Sequence, residues 1–169
     1  MAGRIADSLD IEYIASKLDG CIFSKKRFPG AVYHIKEPKI AVLLFTSGKI
    51  VLTGITSMDE SQKGLEVLIS QLNRLGIRTL AVPDVSITNM VCSYDTGLQI
   101  NLSKVIIAFN YEKIEYEPEQ FPGLVYRIAD PKIVALIFSS GKVIFTGAKN
   151  IEDVKSAIDQ VMKRLDTVH

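Results

Sequence analysis

Three short apolar runs follow one another early in the chain. They span residues 31–35, 40–45 and 50–53, and only the short turns 36–38 and 46–49 separate them. Connections this short join antiparallel strands, because a parallel crossover needs a dozen or more residues. The pattern therefore predicts an antiparallel meander of three strands.

An amphipathic helix is predicted directly after the meander. Ser57 is followed three positions later by Glu60, which is the spacing of a capping box at a helix N-terminus. The apolar side chains that follow form one stripe at helical spacing, namely Leu65, Leu68, Ile69 and Leu72. Gly76 is a natural C-terminal cap, so the helix should end near residue 75.

The meander has a second copy later in the chain. The segment FPGAVYHIKEPKIAVLLFTSGKIVLTG at 28–54 aligns without a gap with FPGLVYRIADPKIVALIFSSGKVIFTG at 121–147, 93 positions later. Identical pairs include Phe28/Phe121, Gly30/Gly123, Phe45/Phe138, Gly48/Gly141 and Thr53/Thr146. Two copies are too few for a solenoid and predict a duplicated domain with a pseudo-twofold axis. We place the first repeat at residues 1–76 and the second at 77–169.

The remaining elements complete a common pattern. In the first repeat, Ser8 is a candidate cap for a short helix at 9–16, and residues 21–27 resemble a short strand or loop. In the second repeat, the predicted elements are a strand at 85–94, a helix at 103–109, a strand at 113–117, the meander at 124–147 and a helix at 151–165. A complete repeat therefore has the order β-α-β-β-β-β-α. This order predicts the α+β fold class, with an antiparallel sheet and helices on one of its faces.

Both faces of the predicted sheet are apolar. In the central strand of the second meander, one face carries Val134, Leu136 and Phe138, and the opposite face carries Ala135 and Ile137. The helices of a repeat cover only one of these faces. The other face must therefore be buried against a partner.

The composition is that of a globular protein. Of the 169 residues, 47% are hydrophobic and 23% are charged, with a formal net charge of +1. No apolar run is long enough to span a bilayer, and the N-terminal residues lack the apolar core of a signal peptide. The net charge argues against a protein that grips phosphates over its whole surface and permits a local basic rim. We interpret Cys21 and Cys92 as small buried hydrophobes of a cytosolic protein rather than a disulfide.

The sequence shows no pattern typical of catalysis or of a cofactor. No Cys/His cluster has metal-site spacing, and His34 and His169 are isolated. The Ser-Gly-Lys sequences at 47–49 and 140–142 are hairpin turns rather than phosphate loops, because no helix follows the glycine. No nucleophile–base pair is suggested by both repeats. We expect a protein that is not an enzyme and that uses no cofactor and no metal.

The duplicated segment resembles the two repeats of the TATA-box-binding protein family, and the resemblance covers residues 9–165. The length of the chain suggests the archaeal form. The resemblance implies a saddle, in which a curved antiparallel sheet lies on the minor groove of DNA and the helices form the convex back. It also implies a general transcription factor that binds and bends TATA-box promoter DNA and nucleates transcription initiation. Such a protein is cytoplasmic in an archaeon and nuclear in a eukaryote.

The resemblance assigns roles to particular residues. The phenylalanines that match intercalating wedges are Phe28, Phe45, Phe121 and Phe138. The residues that match minor-groove contacts are Leu43, Val51, Thr53, Asn89, Val91, Leu136, Ile144 and Thr146. The cations that match phosphate contacts are Lys49, Arg127, Lys142 and Lys149. The acids that match the contact surface for transcription factor B are Glu117 and Glu119. The implied partners are double-stranded DNA, transcription factor B and the RNA polymerase machinery, with no membrane.

The first repeat departs from the family at its beginning. If the offset of 93 is extended backwards, Leu9 matches Leu102 and the counterpart of Asn89 falls before residue 1. The first strand of this repeat is therefore predicted to be missing, and residues 1–7 are a poor substitute.

Two rim residues also differ between the repeats. His34 stands where Arg127 stands in the second repeat, and Thr56 stands where Lys149 stands. With the missing strand, these changes motivate an alternative function. The alternative is a degenerate paralogue that acts as a protein-interaction or regulatory module with weak or no DNA binding. An exposed sheet edge at the missing strand also allows a homodimer in the absence of DNA.

Two groups of residues have an ordinary structural alternative to a role in DNA binding. Phe45 and Phe138 lie in strands, where phenylalanines are usually core residues, and the duplicated spacing and the resemblance favour wedges instead. Lys25, Lys26 and Arg27 form either a solvated loop or a phosphate clamp, and the sequence leaves both interpretations open.

Overall fold

The computed structural model describes residues 1–109 and 113–168, and His169 lies outside this range. Two compact units divide the chain, with unit 1 spanning Met1–Ser86 and unit 2 beginning at Ile87. The division falls later than the repeat boundary placed at residue 76, because a strand at residues 84–86 pairs within unit 1. No helix within the described ranges is long and apolar enough to cross a membrane.

Unit 1 is a six-stranded antiparallel sheet with two helices. In chain order its elements are β1 Ala2–Arg4, α1 Ile11–Lys17, β2 Cys21–Phe23, β3 Ala31–Ile35, β4 Ile40–Leu44, β5 Lys49–Thr53, α2 Met58–Arg74 and β6 Asp84–Ser86. The strand order across the sheet is β2-β3-β4-β5-β1-β6.

Unit 2 repeats this arrangement with a five-stranded antiparallel sheet. Its elements are β7 Met90–Asp95, α3 Leu102–Ala108, β8 Ile114–Glu115, β9 Leu124–Ile128, β10 Ile133–Ile137, β11 Lys142–Ala148 and α4 Ile151–Asp166. The strand order is β7-β11-β10-β9-β8. The predicted order β-α-β-β-β-β-α is confirmed in both units, and β6 is added to the first.

Local hydrogen bonds explain where the helices begin. The Ser57 hydroxyl accepts from the Glu60 N–H at 3.2 Å, and Gly76 ends the helix with a φ of 78°, so the predicted limits of α2 are confirmed. The Glu60 carboxylate accepts from the hydroxyl and the N–H of Thr56, at 2.6 and 2.9 Å, and these bonds lower the pKa of Glu60. The predicted cap Ser8 is wrong, because Asp10 caps α1 by accepting from the Tyr13 N–H.

The core of each unit lies between one face of its sheet and its helices. Alternate residues of each central strand are fully buried, such as Val42 in β4 and Ala135 in β10. They pack against the apolar stripes of α2 and α4, which bury residues including Leu68 and Val161. The prediction that the helices cover one face of each sheet is confirmed.

The predicted absence of a first strand in the first repeat is wrong. Residues 2–4 form β1, which pairs with β5 on one side and β6 on the other. Met1 extends the pairing, because its carbonyl oxygen accepts from the Leu52 N–H at 2.8 Å. Gly3 allows the close approach of β6, since an added Cβ would overlap the Asp84 carbonyl oxygen.

The first strand was missed because the spacing between the two repeats is not constant along the chain. Asp10 and Asn101 cap equivalent helices and are 91 positions apart (101 − 10), whereas the meanders are 93 apart. The second repeat is therefore two residues longer between its first helix and the strand that follows. With the offset of 91, residues 2–4 match residues 93–95 of β7, a match that the constant offset of 93 did not show.

The single strand predicted at 85–94 is also wrong, because it is divided. Asp84–Ser86 pairs with β1, and Met90–Asp95 pairs with β11. Cys21 and Cys92 are free thiols and are half-buried, rather than buried as predicted. Burial raises the pKa of the Cys21 thiol.

Candidate nucleic-acid interface

Each sheet has a second face that points away from its helices, here called the open face. In unit 2 it carries Val91, Glu115, Val125, Arg127, Val134, Leu136, Lys142, Ile144 and Thr146. In unit 1 it carries Ile22, Val32, His34, Ala41, Leu43, Lys49, Val51 and Thr53. The strand alternation that buries the intervening residues forces these side chains onto the open face.

The predicted minor-groove residues of unit 2 form continuous cross-strand rows. Leu136 lies opposite Ile144, and Thr146 lies between Val134 and Val91 on its two neighbouring strands. Val91 is 65% exposed, which is unusual for a strand valine. The result is an apolar floor interrupted by a threonine hydroxyl.

Unit 1 presents an equivalent floor. Leu43 lies opposite Val51, and Val51 lies opposite Ala2 of β1. Thr53 lies opposite Ala41 and is exposed, as its counterpart Thr146 is in part. The structure therefore brings together the minor-groove residues predicted for this repeat.

The four predicted wedges form two aromatic pairs. The ring centroids of Phe28 and Phe45 are 5.6 Å apart at 62°, and those of Phe121 and Phe138 are 5.7 Å apart at 67°. These edge-to-face pairs belong to neither buried core cluster, and Phe121 is 37% exposed. The core interpretation of Phe45 and Phe138 is therefore not supported by their burial.

A glycine packs closely against each aromatic pair and leaves no room for a Cβ atom. A Cβ on Gly123 would lie 2.7 Å from Cε1 of Phe121 and 2.9 Å from Cε1 of Phe138. A Cβ on Gly30 would meet Cε1 of Phe28 at 2.8 Å and also the Leu44 carbonyl oxygen at 2.7 Å. These glycines are required for space, and the sequence analysis did not assign them a role although both follow a Phe-Pro pair.

Gly123→Ala is expected to displace the two rings without breaking the fold. The methyl group meets only side-chain carbons at short range, so the rings must leave their preferred rotamers at a cost of about 0.5–1.5 kcal/mol. If the rings are the wedges that the family resemblance implies, returning them to their bound position costs this energy, and DNA affinity should fall about 2–10-fold. End-to-end FRET on a bound duplex, with the thermal unfolding midpoint as a stability control, tests this. Unchanged bending of the duplex would show that the contact with Gly123 does not fix the position of the rings.

Asn89 lies just before β7 and has a defined orientation. Its side-chain oxygen accepts from the Gly147 N–H at 2.8 Å, where the register between β7 and β11 shifts. Gly147 has a φ of 102°, which favours glycine. The oxygen is engaged, and the amide NH₂ of Asn89 donates to no group among the described residues, so it is available as a donor.

The predicted phosphate contacts are exposed cations in different settings. Lys49 lies opposite Arg4, and Lys142 lies opposite Asp95. Lys149 is exposed beyond the end of β11. None of these three lysines takes part in a salt bridge with the described residues.

Arg127 has a partner that the sequence analysis missed. Its guanidinium donates to the two carboxylate oxygens of Glu115 at 3.1 and 3.4 Å. Both side chains are more than half exposed, so the pair contributes at most about 1 kcal/mol and can be exchanged for a phosphate contact. The sequence signal that could have revealed this pair is the opposite charge of Glu115 on the neighbouring strand β8.

His34 and Thr56, which replace Arg127 and Lys149 of unit 2, have different structural settings in unit 1. His34 lies opposite Ala41 as Arg127 lies opposite Val134, and it is exposed. The Thr56 hydroxyl donates to Glu60, so this position serves the N-terminus of α2. Unit 1 therefore lacks two of the cations that flank the open face of unit 2.

The acidic residues Glu117 and Glu119 lie on an exposed turn before Phe121. The Glu117 carbonyl oxygen accepts from the N–H groups of Gln120 and Phe121 at 2.9 Å, which fixes the turn.

Across residues 1–109 and 113–168, no group of three or more His, Cys, Asp or Glu side chains is arranged to hold a metal ion.

Comparison with known proteins gives a consistent result. The family model described as transcription factor TFIID, or TATA-binding protein, matches residues 2–75 and 84–168. TATA-box-binding protein 2 of Methanosarcina mazei is 43% identical over 98% of this chain and 90% of the relative. TATA-box-binding protein E of Halobacterium salinarum is 44% identical over 96% and 87%.

A solved structure supports the same relation. Methanococcus jannaschii TBP superposes with a TM-score of 0.89 at 40% sequence identity, covering 98% of this chain and 94% of that one. At this level of similarity the two chains share a fold. The α+β class with two repeats, predicted from the sequence, is confirmed.

Proposed function

Since the chain belongs to the TATA-binding protein family, we propose that its open faces bind the minor groove of a TATA-type promoter element and that it acts as a general transcription factor of archaeal type. The observation that carries this proposal is the apolar floor of each unit, which the helices leave partly exposed, with a phenylalanine pair beside it. An apolar surface of this kind must be covered by a partner.

The chemistry of the floor selects A·T base pairs. The minor groove offers only acceptors at A·T pairs, whereas a G·C pair adds an amine donor that projects into the groove. Side chains such as Leu136 and Ile144 have no acceptor for that amine and would leave it buried without a partner. TA steps also unstack more easily than others, so deformability adds to the selection.

The phenylalanine pairs supply the bend. Apolar wedges between base steps kink DNA towards the major groove, and the TATA-binding protein family is the known example of this mechanism. Phe28 with Phe45 and Phe121 with Phe138 are the rings available here, since each pair lies outside the buried core clusters and none of the four rings is fully buried. We assign the wedge role to these four residues.

The polar residues complete the assignment. Thr53, Thr146 and the free NH₂ of Asn89 would meet the base acceptors, and the lysines with Arg127 would meet phosphates. We further propose that Glu117 and Glu119 contact transcription factor B, which brings the polymerase machinery. This is a binding role and needs no catalytic group, and it places the protein with the chromosomal DNA of the cytoplasm.

The main argument for the alternative function, a degenerate interaction module, does not hold. It rested on a missing first strand, and residues 2–4 form that strand. His34 and Thr56 remain as differences, and both lie at the rim rather than on the apolar floor. We propose that any pairing of two copies uses the open face and competes with DNA.

The proposed function predicts that the chain binds and bends a TATA duplex and discriminates against G·C. Each substituted base pair should cost about 1–3 kcal/mol, so two central G·C substitutions should lower affinity at least about 30-fold. Gel-shift titration measures the affinities, and end-to-end FRET measures the bend. Equal binding of both duplexes by the folded protein would contradict the proposal.

A further inference from the structure

The same turn precedes the first phenylalanine of each pair. In unit 1 the Ser24 carbonyl oxygen accepts from the N–H groups of Arg27 and Phe28 at 2.9 and 3.1 Å. In unit 2 the Glu117 carbonyl oxygen makes the equivalent bonds at residues 120 and 121. Residues 24–27 and 117–120, here called the basic loop and the acidic loop, therefore present their side chains from equivalent backbone positions.

The two loops carry opposite charge. The basic loop contains Lys25, Lys26 and Arg27, whereas the acidic loop contains Glu117 and Glu119. Lys25 is paired with Glu12 of α1 at 3.1 Å. Lys26 and Arg27 are exposed and form no salt bridge with any residue that the structure describes.

The sheet rims show the reverse asymmetry. Unit 2 has Arg127 and Lys149 where unit 1 has His34 and Thr56. Unit 1 thus lacks two cations on its rim and has two unpaired cations on its loop. The cationic groups available to DNA have a different location in each unit.

Building on the proposed function, we propose that Lys26 and Arg27 contact backbone phosphates of the duplex just beyond the base step wedged by Phe28 and Phe45. Arg27 is the neighbour of Phe28, with Cα atoms about 3.8 Å apart, and each strand of a duplex carries one phosphate per about 3.4 Å of helix axis. A cationic side chain on a backbone turn held beside the proposed wedge is therefore within reach of the flanking phosphates. The acidic loop of unit 2 repels phosphates.

This assignment makes the protein–DNA complex polar. The duplex beside the Phe28 and Phe45 pair is held by cations, and the duplex beside the Phe121 and Phe138 pair meets an acidic loop. An acidic protein is the other partner that unpaired cations could bind. DNA is favoured because the cations adjoin a residue assigned to the wedge and replace charge lost from the rim of the same unit.

Lys26→Gln/Arg27→Gln is expected to reduce the salt dependence of TATA binding. Removing two phosphate contacts should make the slope of log K against log salt shallower by about 1.8, so the affinity loss between 50 and 200 mM salt shrinks about tenfold. A matched control, Lys63→Gln/Arg74→Gln, removes one lysine and one arginine charge from exposed positions of α2. The control should keep the wild-type slope, and unfolding midpoints verify that both variants fold.

Duplexes trimmed at one end or the other locate the contact. The difference between the variant and the wild type should disappear when one flank is removed and persist when the opposite flank is removed. A wild-type slope in a variant that still binds TATA DNA overturns this inference alone. Loss of binding to a protein factor with an unchanged DNA slope overturns it in favour of an acidic protein partner. If the wild-type chain itself does not prefer TATA DNA, the proposed function fails and this inference fails with it.

Discussion

A Phe138→Ala variant is expected to lose most of its bending of a TATA duplex and to bind it about 10–100-fold more weakly, since stacking on an aromatic ring contributes about 1–3 kcal/mol per base. The Phe138 ring lies 5.7 Å from that of Phe121 and belongs to neither core cluster. Its removal therefore takes away the proposed wedge and leaves the core packed. Gel-shift titration and end-to-end FRET measure the two effects.

Two companion variants separate the wedge from general destabilisation. Phe45→Ala removes the equivalent ring of unit 1 and should weaken bending in the same way. Phe145→Leu alters a buried phenylalanine on the helix side of β11 and should lower stability by about 1–3 kcal/mol without changing the bend. If Phe138→Ala bent DNA as the wild type does, Phe138 would be a structural residue.

The fold was predictable because the repeat reinforces weak local signals. The meander of residues 28–54 is ambiguous alone, but its copy at 121–147 fixes the strand boundaries and the tight turns. The capping pair Ser57 and Glu60 then identifies the start of α2. Alternation in residues 133–137 predicted two apolar faces, and the structure covers one of them with helices.

The first strand could not be predicted from the same signals. β1 has three residues, one of them Gly3, which is too short for a period of two to be recognised. The change of offset from 93 to 91 lies outside the matching segment, so sequence identity in the meander does not reveal it. Only the pairing of β1 with β5 establishes the register.

The candidate site was predictable in residue type more than in contacts. The floor residues follow from strand alternation, and the phenylalanine pairs follow from the duplicated spacing. Two features depend on neighbours in three dimensions and could not be predicted. They are the ion pair between Arg127 and Glu115 and the close packing of the Phe121 and Phe138 rings against Gly123. The orientation of the Asn89 amide depends on a residue 58 positions away.

Asn89→Asp is expected to weaken TATA binding about 10–100-fold while leaving the fold unchanged. The new carboxylate can still accept from the Gly147 N–H, so the local structure around the register shift is retained. It has no NH₂ to donate to the base acceptors, and each good base contact is worth about 1–3 kcal/mol. Its negative charge would also face the acceptors of a narrow groove. Affinity for a TATA duplex at several salt concentrations measures the effect.

The matched control for this change is Asn101→Asp. Asn101 caps α3 by accepting from the Lys104 N–H at 3.1 Å, and aspartate serves equally well in that position. The control adds the same charge to the same unit but at a helix N-terminus rather than beside the open face. Comparable affinity of the two variants would mean that Asn89 donates nothing to DNA and serves only to hold Gly147. A loss confined to Asn89→Asp, persisting when salt screens the added charge, would identify the amide NH₂ as a donor to the minor groove.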